Sequence, residues 1–318
     1  MAEVWIMGEM IVEIMRSTEG ITLYEEGVFR GPFPSGAPAI FIDTVARLGH
    51  SAGIVGGVGK DDFGKCLLDR LIKDGVDCSK VIESDTCATG VAFVTYFADG
   101  SRKFIFHMGN TPAVEPKAPT EEDLKGIQFL HIMGCSLMAK PEFAQEILKT
   151  MRTAKKLGAR ISFDPNIRKE LLKDETIFGV LKKVMANTNV FMPGSDELLL
   201  ISGENSIEAA VKKSFENPNL EILVLKNGSK GCTVFSKNES ISMGVYPIKA
   251  IDATGAGDSF DGAFICGLLE NKDLKYAAQM ASAAGALNTA AFGPMEGDIS
   301  IESVNRMIQD NEKRMNAF

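Results

Sequence analysis

Apolar positions along the chain follow two habits: short continuous runs, and stripes spaced three or four residues apart. Val4–Met7 is an apolar run closed by Gly8-Glu9, and residues 10–15 form another; both read as strands around a turn. In residues 36–48, Phe41, Val45 and Leu48 fall at helical spacing, and Gly49 follows as a stop. Residues 52–58 read as a buried strand, and Phe63, Leu67 and Leu71 stripe the next helix, which Gly75 stops. Strand, helix, strand, helix with short joints predicts an α/β fold. Its mostly parallel central sheet would carry helices on both faces.

Between Cys87 and Met108 the rhythm breaks. Residues 90–97 are β-branched and aromatic, Asp99-Gly100 is a hairpin turn signal, and Phe104-Ile105-Phe106 returns. Such an inserted hairpin is either surface decoration or a lid over a site. Residues 20–34 are mixed, an irregular loop or a small half-exposed sheet. From residue 111 the α/β rhythm resumes, with strands expected at 127–133, 160–163, 190–192 and 222–225. Helices are marked by Phe143, Ile147, Met151 and Ala154, by residues 177–185, and by a start at Ser195. Two hairpin-like strands lead into Asp252, and helices at about 257–270, 273–291 and 300–314 close the chain.

With 318 residues the chain is long enough for one large α/β domain, and its 45% hydrophobic and 24% charged content is ordinary for a globular protein. A net charge of -8 argues against a nucleic-acid partner. No apolar run is long enough to span a bilayer. Six scattered cysteines without a C-x-x-C pair, and three histidines, argue against zinc and for reduced thiols in the cytoplasm. The N-terminus carries an acid where a signal peptide would be basic, so it reads as a first strand.

The chemistry concentrates in Ile251-Asp252-Ala253-Thr254-Gly255-Ala256-Gly257-Asp258-Ser259-Phe260. Gly255, Ala256 and Gly257 open a helix, where small residues and free amides make a phosphate cradle. Asp258 is then either an ordinary first-turn acid or a base for an attacking hydroxyl. Gly56-Gly57-Val58-Gly59-Lys60-Asp61-Asp62-Phe63-Gly64 fails both the Walker A and the dinucleotide patterns and reads as a tight turn with an aspartate cap. Arg168, in Phe163-Asp164-Pro165-Asn166-Ile167-Arg168 after a strand, offers a rigid fork for carboxylate or phosphate. Glu197 reads as an early-turn acid behind a Ser195 cap. Lys226-Asn227-Gly228-Ser229-Lys230-Gly231 is a basic turn at a strand end.

The run from Asp252 to Phe260 resembles the second signature of the ribokinase-like (PfkB) sugar kinases, and residues 56–64 resemble the first. The resemblance covers nearly the whole chain, as one kinase domain over 1–318 with a small β-sheet lid built from about 10–34 and 87–110. It implies ATP-dependent phosphorylation of a small sugar with Mg2+, and Asp258 as base beside an anion hole of Gly255, Ala256 and Gly257. Sugar contacts fall to Glu13, Ser35, Gly36, Ala37, Phe106 and Arg168. Ser35 and Ile40 depart from the usual Gly and Asn of the sugar-binding turn. Nucleotide contacts fall to Asn166, Lys226, Gly228, Gly231 and Asn288, the last facing the adenine. Glu197 would hold Mg2+ through water, although Gly194 replaces the usual Asn, and Asp252 with Thr254 would meet a monovalent cation such as K+. Glu13, Arg168 and the aromatic hairpin favour 2-keto-3-deoxygluconate as substrate, with a ketohexose such as fructose or tagatose the alternative and a catalytically silent sugar sensor the contrasting class. An exposed lid sheet could pair two copies into a homodimer.

Overall fold

In the computed structural model, residues 1–99, 101–168 and 176–315 are described; Gly100, half of the expected hairpin turn, lies outside them. Strand β1 (Val4–Met7) has all four side chains buried, the mark of a strand covered on both faces. After it come β2 (Ile11–Arg16), β3 (Phe29–Ser35), α1 (Ala37–Arg47), β4 (Ala52–Gly59), α2 (Asp62–Lys73), β5 (Asp77–Ser84), β6 (Gly90–Tyr96) and β7 (Arg102–His107). Next are β8 (Phe129–Met133), α3 (Gly134–Ala139), α4 (Pro141–Lys156), β9 (Arg160–Asp164), α5 (Thr176–Met185), β10 (Val190–Phe191), α6 (Ser195–Ser202) and α7 (Ile207–Ser214). The chain closes with β11 (Ile222–Lys226), β12 (Cys232–Ser236), β13 (Ser240–Met243), α8 (Ala256–Leu269), α9 (Leu274–Thr289) and α10 (Ile301–Met315).

Nine strands form the main sheet in the order β13-β12-β11-β10-β9-β8-β1-β4-β5. Pairing is parallel from β5 across to β11 and antiparallel only through β12 and β13 at one edge. One face is packed by α1, α8, α9 and α10, the other by α4 to α7, each over its own apolar cluster. On the first face α8 and α9 come close because both present small residues: a Cβ on Gly267 would lie 2.6 Å from Ala277 Cα. His131, on β8, is a neutral core residue. It stacks on Phe41 at 3.9 Å, and burial pushes its pKa down to about 3.

The second apolar run does not join β1. It becomes β2, pairs with β3 and β6, and with β7 makes a separate four-stranded sheet in the order β3-β2-β6-β7. Strand β5 has no apolar run to announce it; it is a half-exposed edge strand, held by pairing with β4 across a register shift. None of the described helices is long and apolar enough to cross a membrane.

Candidate active site

Chain order reverses across the sheet between β1 and β8, and open α/β sheets hold ligands beyond the carboxyl ends of their strands at such a point. Four segments meet there: Glu9 after β1, Cys135 and Ser136 after β8, Asp164 to Arg168 after β9, and Lys226 at the end of β11. Their approach requires glycine. A Cβ on Gly134 would sit 1.9 Å from Pro165 O, and one on Gly8 2.3 Å from Pro38 Cγ.

Helix α8 supplies the opposite wall. Its N-cap, Gly255, has φ 78°, and a Cβ there would lie 2.3 Å from Pro294 O, so both backbone sign and space call for glycine. Ser259 N donating to Gly255 O (2.9 Å) is the first bond of the helical ladder, which leaves the amides of residues 256–258 ahead of it. Of these, Ala256 N turns back to Ala253 O at 3.3 Å. The arrangement favours an anion through amides and helix dipole together.

Asp258 lies in this first turn and is only 6% exposed. Asn166 Nδ2 donates to its Oδ1 at 3.0 Å, from a backbone held at φ 37°, a region non-glycine residues seldom adopt. Burial raises the Asp258 pKa to about 6, against the pull of Arg168, Lys226 and Arg102. A carboxyl poised there can take a proton near neutral pH.

Two spaces flank the 253–257 turn. A polar cavity of about 210 Å3 is lined by Glu13, Ala37, Ile40, Arg102, Phe104, Asp164, Asn166, Arg168, Glu197 and Asp258. A larger, mostly apolar cleft of about 530 Å3 is lined by Val245, Tyr246, Ile248, Phe260 and Ala286, with Gly228 and Gly231 at its rim and Lys226 reaching both spaces. Gly36 and Phe106 line a small recess behind the polar cavity. Gly255 and Gly257 face the polar cavity, and Ala256 and Gly257 the cleft.

Several expected residues have unexpected partners. Ser35 is fully buried and lines neither space; its Oγ donates to Glu13 Oε1 at 2.7 Å, so it acts on the cavity through Glu13. Burial raises the Glu13 pKa to about 7, above what the Ser35 bond and the two arginines can offset. Lys226 Nζ sits between Asp164 Oδ2 (2.8 Å) and Asp261 Oδ2 (2.9 Å), tying β9, β11 and α8 together. Burial opposes the charge on Asp164, but Lys226 and the hydrogen bond shared with Asp261 together offset it and hold that carboxyl below its ordinary value. Burial pushes Asp261 well up. Glu197 accepts from Gly194 N and Ile167 N, both at 2.7 Å, and so fixes the loop carrying Asn166 and Arg168 while still lining the cavity. Asp252 accepts from Thr254 N (2.9 Å), Thr254 Oγ1 (2.8 Å) and Gly293 N (3.1 Å), and Tyr96 of the second sheet donates to it at 3.3 Å.

Asn288 needs correction. It does not face the cleft: α9 turns Ser282, Gly285, Ala286 and Thr289 to that side. At 100° per residue the neighbouring position points toward α8, where Asn288 Nδ2 donates to Thr254 O at 2.7 Å and holds the turn from behind.

Sequence reading passed over Glu9, Arg102, Tyr96 and Asp261. Asp261 carried a signal, one helical turn beyond Asp258. Glu9 carried a weaker one, an acid directly after a strand-ending glycine. Arg102 and Tyr96 reach the site only because the second sheet folds over it.

Residues 1–300 match the family model described as pfkB family carbohydrate kinase. Fructokinase-2 of Solanum lycopersicum is 32% identical over 297 residues, covering 90% of each chain. Among solved structures, an E. coli protein nominally a Ribokinase II, in complex with ATP and Mg2+, is 39% identical with a TM-score of 0.91 over 98% of this chain and all of that one. A fructokinase from Vibrio cholerae O395 with fructose, ADP and potassium bound shares the fold, at 23% identity and a TM-score of 0.82 over 97% and 98% of the two chains. The chain belongs to the PfkB family of carbohydrate kinases.

Proposed function

We propose that this chain transfers the γ-phosphoryl group of ATP, bound with Mg2+, to a primary hydroxyl of a ketohexose such as fructose. The observation that carries the reading is the buried Asp258 carboxyl on the wall of the polar cavity, beside amides that also face the apolar cleft. Base and ribose fit the cleft, where Gly228 and Gly231 leave the backbone open. The triphosphate tail is directed to the start of α8. Asp258 takes the proton of the attacking hydroxyl while Asn166 holds its other oxygen in place. The helix-start amides, with Arg102 and Arg168, face the charge that builds on the transferring group. Closed over the cavity, the second sheet acts as a lid that keeps water from competing with the sugar.

Mg2+ would neutralise phosphate charge, and Asp164 and Glu197 are the carboxylates able to hold it through water. Among the described residues no group of three or more His, Cys, Asp or Glu side chains is placed to hold a bare ion. Asp252 is the candidate contact for K+; both of its oxygens already accept protein donors, so turnover with and without KCl tests that contact. Six free thiols support a reducing, cytoplasmic setting. Pairing of two copies through the edge strands β3 and β7, near exposed Val28 and Ile105, is the assembly this reading favours, and light scattering tests it.

The ketohexose is favoured by the 32% identical fructokinase; the Glu13 carboxyl lines the cavity and suits the hydroxyls of either sugar. A sugar acid such as 2-keto-3-deoxygluconate is the second reading, favoured by Arg102 and Arg168 in one small cavity. ADP release across fructose, tagatose, ribose and 2-keto-3-deoxygluconate decides. A ketohexose kcat/KM about tenfold above the acid is expected; the reverse order would replace the substrate. Sugar binding without turnover would point to a sensor.

A further inference from the structure

The polar cavity does not end at Glu13. Behind it opens a recess of about 30 Å3 walled by Glu9, Cys135, Phe104, Phe106 and Met108, with Glu13 and Arg168 bordering both spaces. Asp258 lines the outer space and not the recess. A sugar with its reacting hydroxyl at Asp258 therefore turns its other end toward Glu9. The recess has room for about one water-sized group, such as the hydroxyl of a hydroxymethyl arm.

Glu9 is built into this position. It follows β1 while Cys135 and Ser136 follow β8, so their contact spans the point where chain order reverses. The carboxyl is 4% exposed; Cys135 Sγ donates to Oε1 at 3.1 Å and Ser136 Oγ donates to Oε2. A carboxylate has about four acceptor positions, so these two donors leave others for a ligand. Burial already raises the pKa of Glu9, and that of Glu13 to about 7. A second carboxylate brought into this recess would crowd acids themselves held short of full charge and would enter only at the cost of a further proton.

Building on the ketohexose reading, we propose that Glu9 is a specificity-determining residue. It accepts a hydrogen bond from the sugar hydroxyl farthest from the phosphorylated carbon, and it turns away a carboxylate at that end.

The test measures ADP release by wild type and Glu9→Gln on fructose, 1-deoxyfructose, 6-deoxyfructose and 2-keto-3-deoxygluconate. One deoxy sugar lacks the acceptor hydroxyl and is inert; the other lacks only the far hydroxyl. Wild type is expected to lose about tenfold in kcat/KM on the latter, mostly through KM. In Glu9→Gln that loss should shrink below about threefold, and the preference for fructose over the acid should fall about tenfold, with KM for ATP unchanged. An unchanged ratio in the variant overturns the proposal. So does a wild type indifferent to the missing hydroxyl, a result that needs no folded variant. If wild type phosphorylates no ketohexose, the substrate reading fails, and the same deoxy comparison on the sugar it does use decides Glu9.

Discussion

The apolar cleft and the polar cavity share the 253–257 turn but are built on opposite terms. The cleft is shaped by Val245, Tyr246, Ile248, Phe260 and Ala286, with Lys226 its one charged wall among the described residues. The cavity packs Glu13, Asp164, Glu197 and Asp258 against Arg102, Arg168 and Lys226 in under half the volume. Charges that close, and that dry, set one another's proton affinities. Removing one from the cavity leaves its partners uncompensated, while altering one wall of the cleft changes only fit. Chemistry and stability should therefore respond together in the cavity and separately in the cleft.

The largest effect is expected from Asp258→Asn, which keeps shape and removes the base. Its kcat should fall about 1,000-fold, with ATP binding by calorimetry within about threefold of wild type. Turnover near the wild-type rate would take Asp258 out of the proton transfer. Next is Lys226→Met, which strands Asp164 and Asp261, 4% and 0% exposed at the side chain. A loss of about 3–5 kcal/mol is expected, read as a thermal shift of about 10 °C. Adding Asp261→Asn should recover part of it, because one uncompensated buried carboxylate is then gone. No recovery would mean the three charges are not one unit.

The cavity also sets the pH response. Asp258 is held at a pKa of about 6, above its ordinary 3.8. As a base it must be ionised, so kcat/KM should rise through about pH 6 and drop about tenfold per unit below it. Removing the Asn166 bond to its ionised form, by Asn166→Ala, should move that midpoint up. For stability the sign is opposite. The folded state holds the Asp258 proton more tightly than the unfolded chain does. The stabilisation this gives is present in full below about pH 4 and is lost as pH rises through 6. A midpoint unmoved by Asn166→Ala would detach that residue from the base.

The same division separates what the chain reveals from what it hides. The turn at 253–257 was legible because contiguous small residues and an acid at a helix start leave few readings. The main sheet was legible because buried parallel strands are continuous apolar runs. The cavity was only half legible. Arg102 lines the cavity with Asp258 and Tyr96 bonds Asp252 across more than 150 residues, and Glu9 meets Cys135 and Ser136 across more than 120; no local spacing encodes that. The composition of the run 10–15 suits either sheet, and pairing alone decides between them. Asn288 was misassigned for a subtler reason: an alanine-rich helix has no amphipathic stripe to show which side faces the cleft.

The smallest effect should come from the cleft, and it sharpens the contrast most. Ala286 lies on the face of α9 that lines it, at a partly exposed position with room toward the opening. Ala286→Leu adds apolar volume where the base would stack without touching a charge. KM for ATP should rise about three- to tenfold through crowding. KM for the sugar and kcat should hold, and stability should change by about 0.5 kcal/mol or less, as for substitutions outside a packed core. Steady-state kinetics with each substrate varied in turn would show this. If kcat fell along with ATP affinity, the cleft would be steering the triphosphate toward Asp258 as well as holding the base, and the shared turn would be transmitting shape as strongly as the cavity transmits charge.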